Sequence, residues 1–156
     1  MKVDASHVLI VANQTLGGDQ LIEAIRERQV EGTCVFTIVV PAVPPPRDFA
    51  ANFGSTFVAG GMTGPPTYDS GRTDAARRLE VGLRSLRALG ATVDGEVGVE
   101  NVMDAVAECL RVRNYDEIII STLPPGVSRW LHLDIPHRLE HKFSIPVTTI
   151  TAKKGE

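Results

Sequence analysis

Five short runs of apolar, mostly β-branched residues recur along the chain and limit the folds open to it. The runs are HVLIVA (7–12), CVFTIVV (34–40), TVDGEVGV (92–99), EIIIS (117–121) and PVTTIT (146–151). The first, second and fourth runs are almost continuously apolar, which is typical of parallel strands covered on both faces, whereas the third alternates and is expected nearer an edge. Strands that alternate with helices form a parallel sheet with right-handed crossovers. The sequence therefore predicts a three-layer α/β sandwich with a five-stranded, mostly parallel sheet.

Four helices are predicted between these runs from apolar stripes and end signals. The first helix is predicted from Asp19 onward, with Asp19 as its cap, and the second over 73–89, with Gly90 as its stop. The third is predicted over 101–113, with Asn101 as its cap. The fourth is predicted from about Pro136 to Phe143. The second of these helices is expected to face the core with Ala76, Leu79, Leu83 and Leu86.

The composition indicates one cytoplasmic domain, which we assign to residues 1–152. The chain has 156 residues, a length that suits a single core. Its formal net charge of −3 gives no indication of binding to nucleic acid or an anionic membrane. Cys34 and Cys109 lie in separate apolar segments, as buried reduced thiols of cytosolic proteins commonly do. No apolar run approaches the roughly 18 residues of a membrane span, and no secretion signal is recognisable.

Residues 41–72 interrupt the alternation with a segment rich in proline and glycine that has neither a helical nor a strand period. A loop of this length inside a compact domain is typical of a lid, a binding element or a disordered segment. Because it follows the second strand, it leaves from the edge of the sheet at which such folds bind ligands. One hypothesis is therefore that this loop contacts a partner.

The segment DEIIISTLPPGVSRWLHLDIPHRLEHKFSIPVTTI (116–150) resembles the universal stress protein family, and the resemblance covers nearly the whole chain. In nucleotide-binding members of the family, the fourth strand leads into a glycine, two residues, a second glycine, nine residues and a third glycine followed by serine or threonine. Those three glycine positions are Ser121, Pro124 and Asp134 here. The aspartate with which the family's first strand contacts adenine falls on Asn13. The resemblance implies a Rossmann-like fold of the adenine nucleotide alpha hydrolase type, strand order 3-2-1-4-5, and a homodimer that often forms through the last strand, here 146–151.

The resemblance implies ATP or AMP as the ligand. The changed motif argues that neither nucleotide binds in the usual way. Glycine lets backbone N–H groups approach a phosphate closely, whereas Pro124 has no N–H to donate. A carboxylate at Asp134 would repel a phosphate by about 4 kcal/mol at a distance of about 4 Å and an effective dielectric of about 20. An alternative use of Asp134 is to cap the helix that follows it.

Strand order 3-2-1-4-5 would bring the stretches NQTLGG and STLPPG together in one crevice. The stretch TLGGDQ resembles in outline the Ser-Gly-Gly-x-Asp-Ser loop of ATP pyrophosphatases, but the match is poor, and a strand-to-helix turn accounts for it. Gly126, Ser128 and Arg129 remain as anion contacts. The candidate ligand-binding residues are Asn13, Gln14, Thr15, Gly17, Gly18, Val40, Ser121, Thr122, Pro124, Gly126, Ser128, Arg129 and Asp134.

Little in the sequence indicates catalysis. Ser121 and Ser128 have no histidine or acid that spacing places beside them, and Asp134, His137 and His141 suit surface residues better than a zinc set. The favoured hypothesis is a non-catalytic regulatory or ligand-sensing module, whose ligand or partner protein the sequence does not identify. The alternative is a nucleotide-binding protein or slow ATPase with a rearranged pocket, in which Arg129 and the amides of Gly17 and Gly18 hold phosphate and Asp134 holds Mg²⁺.

Overall fold

The computed structural model describes residues 5–12, 15–16, 18–42, 68–123 and 128–152. Strands and helices alternate through these residues as the sequence predicts, except that a short unpredicted helix, Arg129–His132, precedes the last helix. In chain order the elements are β1 (Ser6–Val11), α1 (Asp19–Glu31), β2 (Cys34–Pro41), α2 (Tyr68–Ala88), β3 (Thr92–Gly98), α3 (Val102–Val112), β4 (Glu117–Thr122), α4 (Arg129–His132), α5 (Ile135–Phe143) and β5 (Val147–Thr151).

The five strands form one sheet in the order β3-β2-β1-β4-β5, and every neighbouring pair is parallel. Strand β1 is central and pairs with β2 from Ser6↔Cys34 to Val11↔Val39. On its other side it pairs with β4 from Val8↔Glu117 to Val11↔Ile120. The predicted fold class and strand order are confirmed. The alternating third run does form an edge strand, β3.

Each face of the sheet carries a separate apolar core, because successive side chains of a strand point to opposite faces. One core packs alternate residues of the central strands, such as Ile10 and Ile38, against α1 and α2. The other packs the intervening residues, such as Leu9 and Val39, against α3 and α5. Both faces of β1, β2 and β4 are therefore covered, which accounts for their nearly continuous apolar sequence.

Helix α2 begins at Tyr68 instead of the predicted Thr73, so the last part of the predicted loop 41–72 is helical, and Pro41 belongs to β2. Of the predicted core face, Leu79 and Leu86 are buried and the partly buried Leu83 packs against the core, whereas Ala76 is exposed and Ala75 is buried in its place. Ala75, Leu79 and Leu86 share one face of the helix with the buried Gly82, and this face packs against the sheet. The loop residues 43–67 lie outside the described residues.

The helix ends combine confirmed and incorrect predictions. Gly90 follows α2 with a positive φ of 84°, and the Asn101 side chain accepts the N–H of Asp104 at 3.1 Å, as predicted for a stop and a cap. Asp19 is not the cap of α1, because the helix already includes it and Gly18 occupies the N-cap position. Asp134 does precede α5, but it has a left-handed backbone (φ 54°), and its side chain bonds to His137 instead of capping the helix.

A partly buried ion pair joins α1 to the two strands at one side of the sheet. Arg28 donates through Nε to Glu117 Oε1 at 2.8 Å and through Nη2 to Glu117 Oε2 at 2.6 Å, which makes the contact bidentate. Thr148 on β5 donates to the same Oε2 at 2.6 Å. The hydrogen bond from Arg28 is the main cause that lowers the pKa of Glu117, while Glu117 raises the pKa of Arg28.

Candidate functional site

The candidate site lies where β1 and β4 end side by side. Strand β1 is the point at which the strand order reverses, since the chain passes from β1 to β2 on one side and reaches β4 on the other. In open parallel sheets such a switch point leaves a crevice beyond the carboxyl ends of the strands, and ligands bind there. The turn after β1 supplies Thr15 and Leu16 to this region, and β4 supplies Ser121 and Thr122.

A hydrogen bond between two hydroxyls joins the two sides of the crevice. Thr15 Oγ1 and Ser121 Oγ are 2.7 Å apart, and both residues are buried, with 8% and 2% exposure. The turn itself is closed by the N–H of Gly18, which donates to the Thr15 carbonyl at 3.0 Å. A residue in the turn after β1 is therefore fixed to the last part of β4.

The other side of the turn rests on α2. Leu16 packs against the core between the sheet and α2, beside Gly82. A Cβ at position 82 would lie 2.5 Å from Leu16 Cγ, so the glycine provides the space that the leucine fills. The sequence offered one signal for this contact, a glycine within a helical stripe, which commonly marks a packing requirement.

A second pair of hydroxyls anchors the far end of the loop that follows β4. Thr122 Oγ1 and Ser128 Oγ are hydrogen-bonded, and both residues are buried. Ser128 Oγ also accepts the N–H of Leu131 at 3.1 Å, so it satisfies a donor in the first turn of α4. The Thr122 carbonyl accepts the N–H of Ala152, which ties the end of β4 to the end of β5.

The remaining candidate residues have different positions. Gly18 is the N-cap of α1, Val40 is fully buried in the core on the α1 and α2 face, and Asp134 is exposed. Those that lie outside the described residues are Asn13, Gln14, Gly17, Pro124, Gly126 and the side chain of Arg129. Of the predicted set, the structure thus brings together Thr15 with Ser121 and Thr122 with Ser128.

The described residues contain no group of three or more His, Cys, Asp or Glu side chains that could hold a metal ion. His137 Nδ1 lies 3.2 Å from Asp134 Oδ2, and the rings of His137 and His141 are 6.4 Å apart on an exposed surface. Both cysteines are free. Burial raises the pKa of Cys34, and burial together with a hydrogen bond to Glu96 raises the pKa of Cys109 to about 12, so both keep their protons at neutral pH.

Within the described part of the chain, no helix is both long enough and apolar enough to cross a membrane.

Among solved structures, the chain is similar to that of a universal stress protein from Archaeoglobus fulgidus. The two have a TM-score of 0.53 and 17% sequence identity, and the match covers 93% of this chain and 94% of that chain. At this identity the likeness establishes a shared fold. Neither the protein-family profiles nor the curated protein sequences contain a match.

Proposed function

We propose that the chain is a non-catalytic regulatory or ligand-sensing module of the universal-stress-protein type, whose crevice does not hold ATP in the usual way. The fold supports the first part of this proposal. The second part depends on one observation, the buried hydrogen bond between Thr15 and Ser121.

Position 121 is where the nucleotide-binding pattern has its first glycine. A glycine leaves open space there and lets the backbone approach a phosphate. Ser121 instead directs a hydroxyl at Thr15, and the two buried oxygens satisfy each other at 2.7 Å. The hydroxyl that donates within this pair could donate to a phosphate only if the bond were broken, and a buried polar group left without a partner costs about 1–3 kcal/mol.

The test is a calorimetric titration with Mg-ATP, with the fluorescence of the half-buried Trp130 in α4 as a second readout. We expect no binding by the unaltered protein at millimolar nucleotide, and measurable binding after Ser121→Gly if the hydroxyl is what closes the crevice. Ser144→Gly is the matched control, because Ser144 is an exposed serine with a positive φ of 55° and glycine suits that backbone. Micromolar binding by the unaltered protein would refute the proposal. If Asp134→Ala abolished that binding, the alternative function, a nucleotide-binding protein with a rearranged pocket, would be favoured instead.

We also propose that the protein forms a homodimer through β5. This strand ends the sheet, and its residues Val147–Thr151 are uncharged and partly exposed. An edge strand without charges or proline is suited to pair with a second chain. Sedimentation should give a dimer that Thr149→Lys weakens, whereas the same change at the exposed Thr92 of β3 leaves it intact. A strictly monomeric unaltered protein would contradict the proposal.

A further inference from the structure

A second cleft, of about 220 Å³, lies away from the crevice at β1 and β4. It lies between the middle of β2 and β3 on one side and the last turn of α3 on the other. The residues that matter for its chemistry are Thr37, Asp94, Glu96, Cys109, Arg113 and Tyr115. Thr37 is the only hydroxyl residue of β2, in an otherwise apolar strand.

Two carboxylates line this cleft, and uncharged donors hold each of them. Asp94 and Glu96 are two residues apart on β3, so their side chains share a face about 7 Å apart. Thr37 Oγ1 donates to Asp94 Oδ1 at 3.2 Å, and Cys109 Sγ donates to Glu96 Oε1 at 3.3 Å. Among the ion pairs of the described residues, none includes Asp94 or Glu96. Among the described residues, these hydrogen bonds engage one oxygen of each carboxylate and leave the other for a further donor.

The surroundings of the carboxylates also favour positive charge. Thr37, whose proton goes to Asp94, lines the cleft together with Tyr115. The hydrogen bond from Thr37 orients Asp94 in advance of any ligand. The cleft also lies at the C-terminus of the 11-residue helix α3, where the helix dipole places partial negative charge.

We propose that this cleft binds a small organic cation with a primary ammonium group on a short alkyl chain. An ammonium group has three donors, which match the available oxygens of Asp94 and Glu96, and the alkyl chain can lie along Tyr115 and Val112. Two carboxylates and the one guanidinium of Arg113 give the lining a net charge of −1. The site does not depend on the function proposed for the crevice.

The experiment follows backbone amide chemical shifts of the intact protein during titration with n-butylamine as its ammonium salt, with n-butanol as the uncharged counterpart. We expect saturable shifts at Asp94–Glu96 and Arg113–Tyr115, and none at Thr15 or Ser121. Asp94→Asn and Glu96→Gln should each weaken binding about tenfold, as the loss of a charge-assisted hydrogen bond predicts. Glu100→Gln removes the same charge from an exposed residue next to β3 and should leave binding unchanged.

Arg113→Gln gives a test of sign. Removal of its positive charge should tighten binding of the ammonium ion, whereas a site built for anions would lose its main donor. The amide spectra also show that each variant remains folded. The proposal is overturned if butylamine causes no saturable shift, if butanol causes the same shifts, or if Arg113→Gln weakens binding.

Discussion

Replacing Glu117 with glutamine is expected to destabilise the protein by about 2–3 kcal/mol at neutral pH. The substitution keeps the size of the side chain but removes the negative charge that faces Arg28. Arg28 and Glu117 are 17% and 22% exposed, so little water is available to solvate the guanidinium once its partner is neutral. The bidentate contact and the Thr148 bond meet at one carboxylate, which places several charge-assisted bonds in a single side chain.

The value follows from two limits. Breaking a fully buried ion pair costs about 3–5 kcal/mol, whereas exposed pairs contribute at most about 1 kcal/mol. The Arg28–Glu117 pair is mostly buried at the edge of the core. We therefore expect its loss to cost more free energy than the loss of an exposed pair and less than the loss of a fully buried one. Chemical denaturation of both proteins under the same conditions measures the difference in the free energy of unfolding.

The matched control is Glu80→Gln on α2. Arg84 and Glu80 form an ion pair of similar length, 2.8 Å, but their side chains are 77% and 66% exposed. We expect this control to cost at most about 0.5 kcal/mol. Equal losses in the two variants would refute the argument that burial determines the strength of the pair.

The pH dependence tests the same contact independently. The pKa of Glu117 in the folded protein lies below its ordinary value of 4.5, mainly because of the hydrogen bond from Arg28. A carboxyl group with a lowered pKa stabilises the fold above its unfolded pKa and loses that contribution as the pH falls through its folded pKa. The stability gap between the unaltered protein and Glu117→Gln should therefore be full above about pH 5 and shrink below pH 4.5. A gap that stays constant into the acid range would contradict this reasoning.

Three further predictions concern single residues. Gly95→Ala should cost about 1–3 kcal/mol in the free energy of unfolding. Its Cβ would lie 2.7 Å from the Ile38 carbonyl oxygen. The control, Gly32→Ala, meets nothing within 4 Å and should be close to neutral in the same denaturation assay. Cys109 should resist iodoacetamide at pH 8 in the folded protein and react after unfolding, as followed by mass spectrometry, because it is 2% exposed and its pKa is about 12; rapid labelling of the folded protein would contradict this. Asn101→Ala should lower the free energy of unfolding by about 1 kcal/mol through loss of the cap on α3, and an unchanged value would show that the bond to the Asp104 N–H contributes nothing.

The sheet could be predicted from sequence because its signals are local and repeated. Continuous apolar runs indicate strands covered on both faces, and the alternation of TVDGEVGV indicates an edge. The strand order was implied by the resemblance, since no local pattern specifies it. The start of α2 was missed because residues 68–72 contain glycine and polar residues, whose weak helix propensity gives no local signal of a helix.

The candidate sites were less predictable because their contacts join residues far apart in the chain. Thr15 and Ser121 could be assigned to one crevice from topology, but nothing local predicts that their hydroxyls meet. Likewise, Asp94 and Glu96 follow the expected alternation of an edge strand. Their role in a cleft depends on Thr37 from a neighbouring strand and on Cys109 from the next helix. Asp19 looked like a cap because its residue type favours that position, but the turn closed by Gly18 starts the helix one residue earlier.

The two outer strands of the sheet differ in charge, and this difference bears on how copies of the protein can associate. Antiparallel pairing of β3 with β3 of a second chain, centred on Gly95, would set Asp94 of one chain opposite Glu96 of the other, twice. Like charges directly opposite each other on neighbouring strands repel. Strand β5 carries no charge and has no such barrier. The acidic residues of β3 would thus disfavour self-association at that edge and leave the β5 edge for the proposed symmetric pairing of two chains.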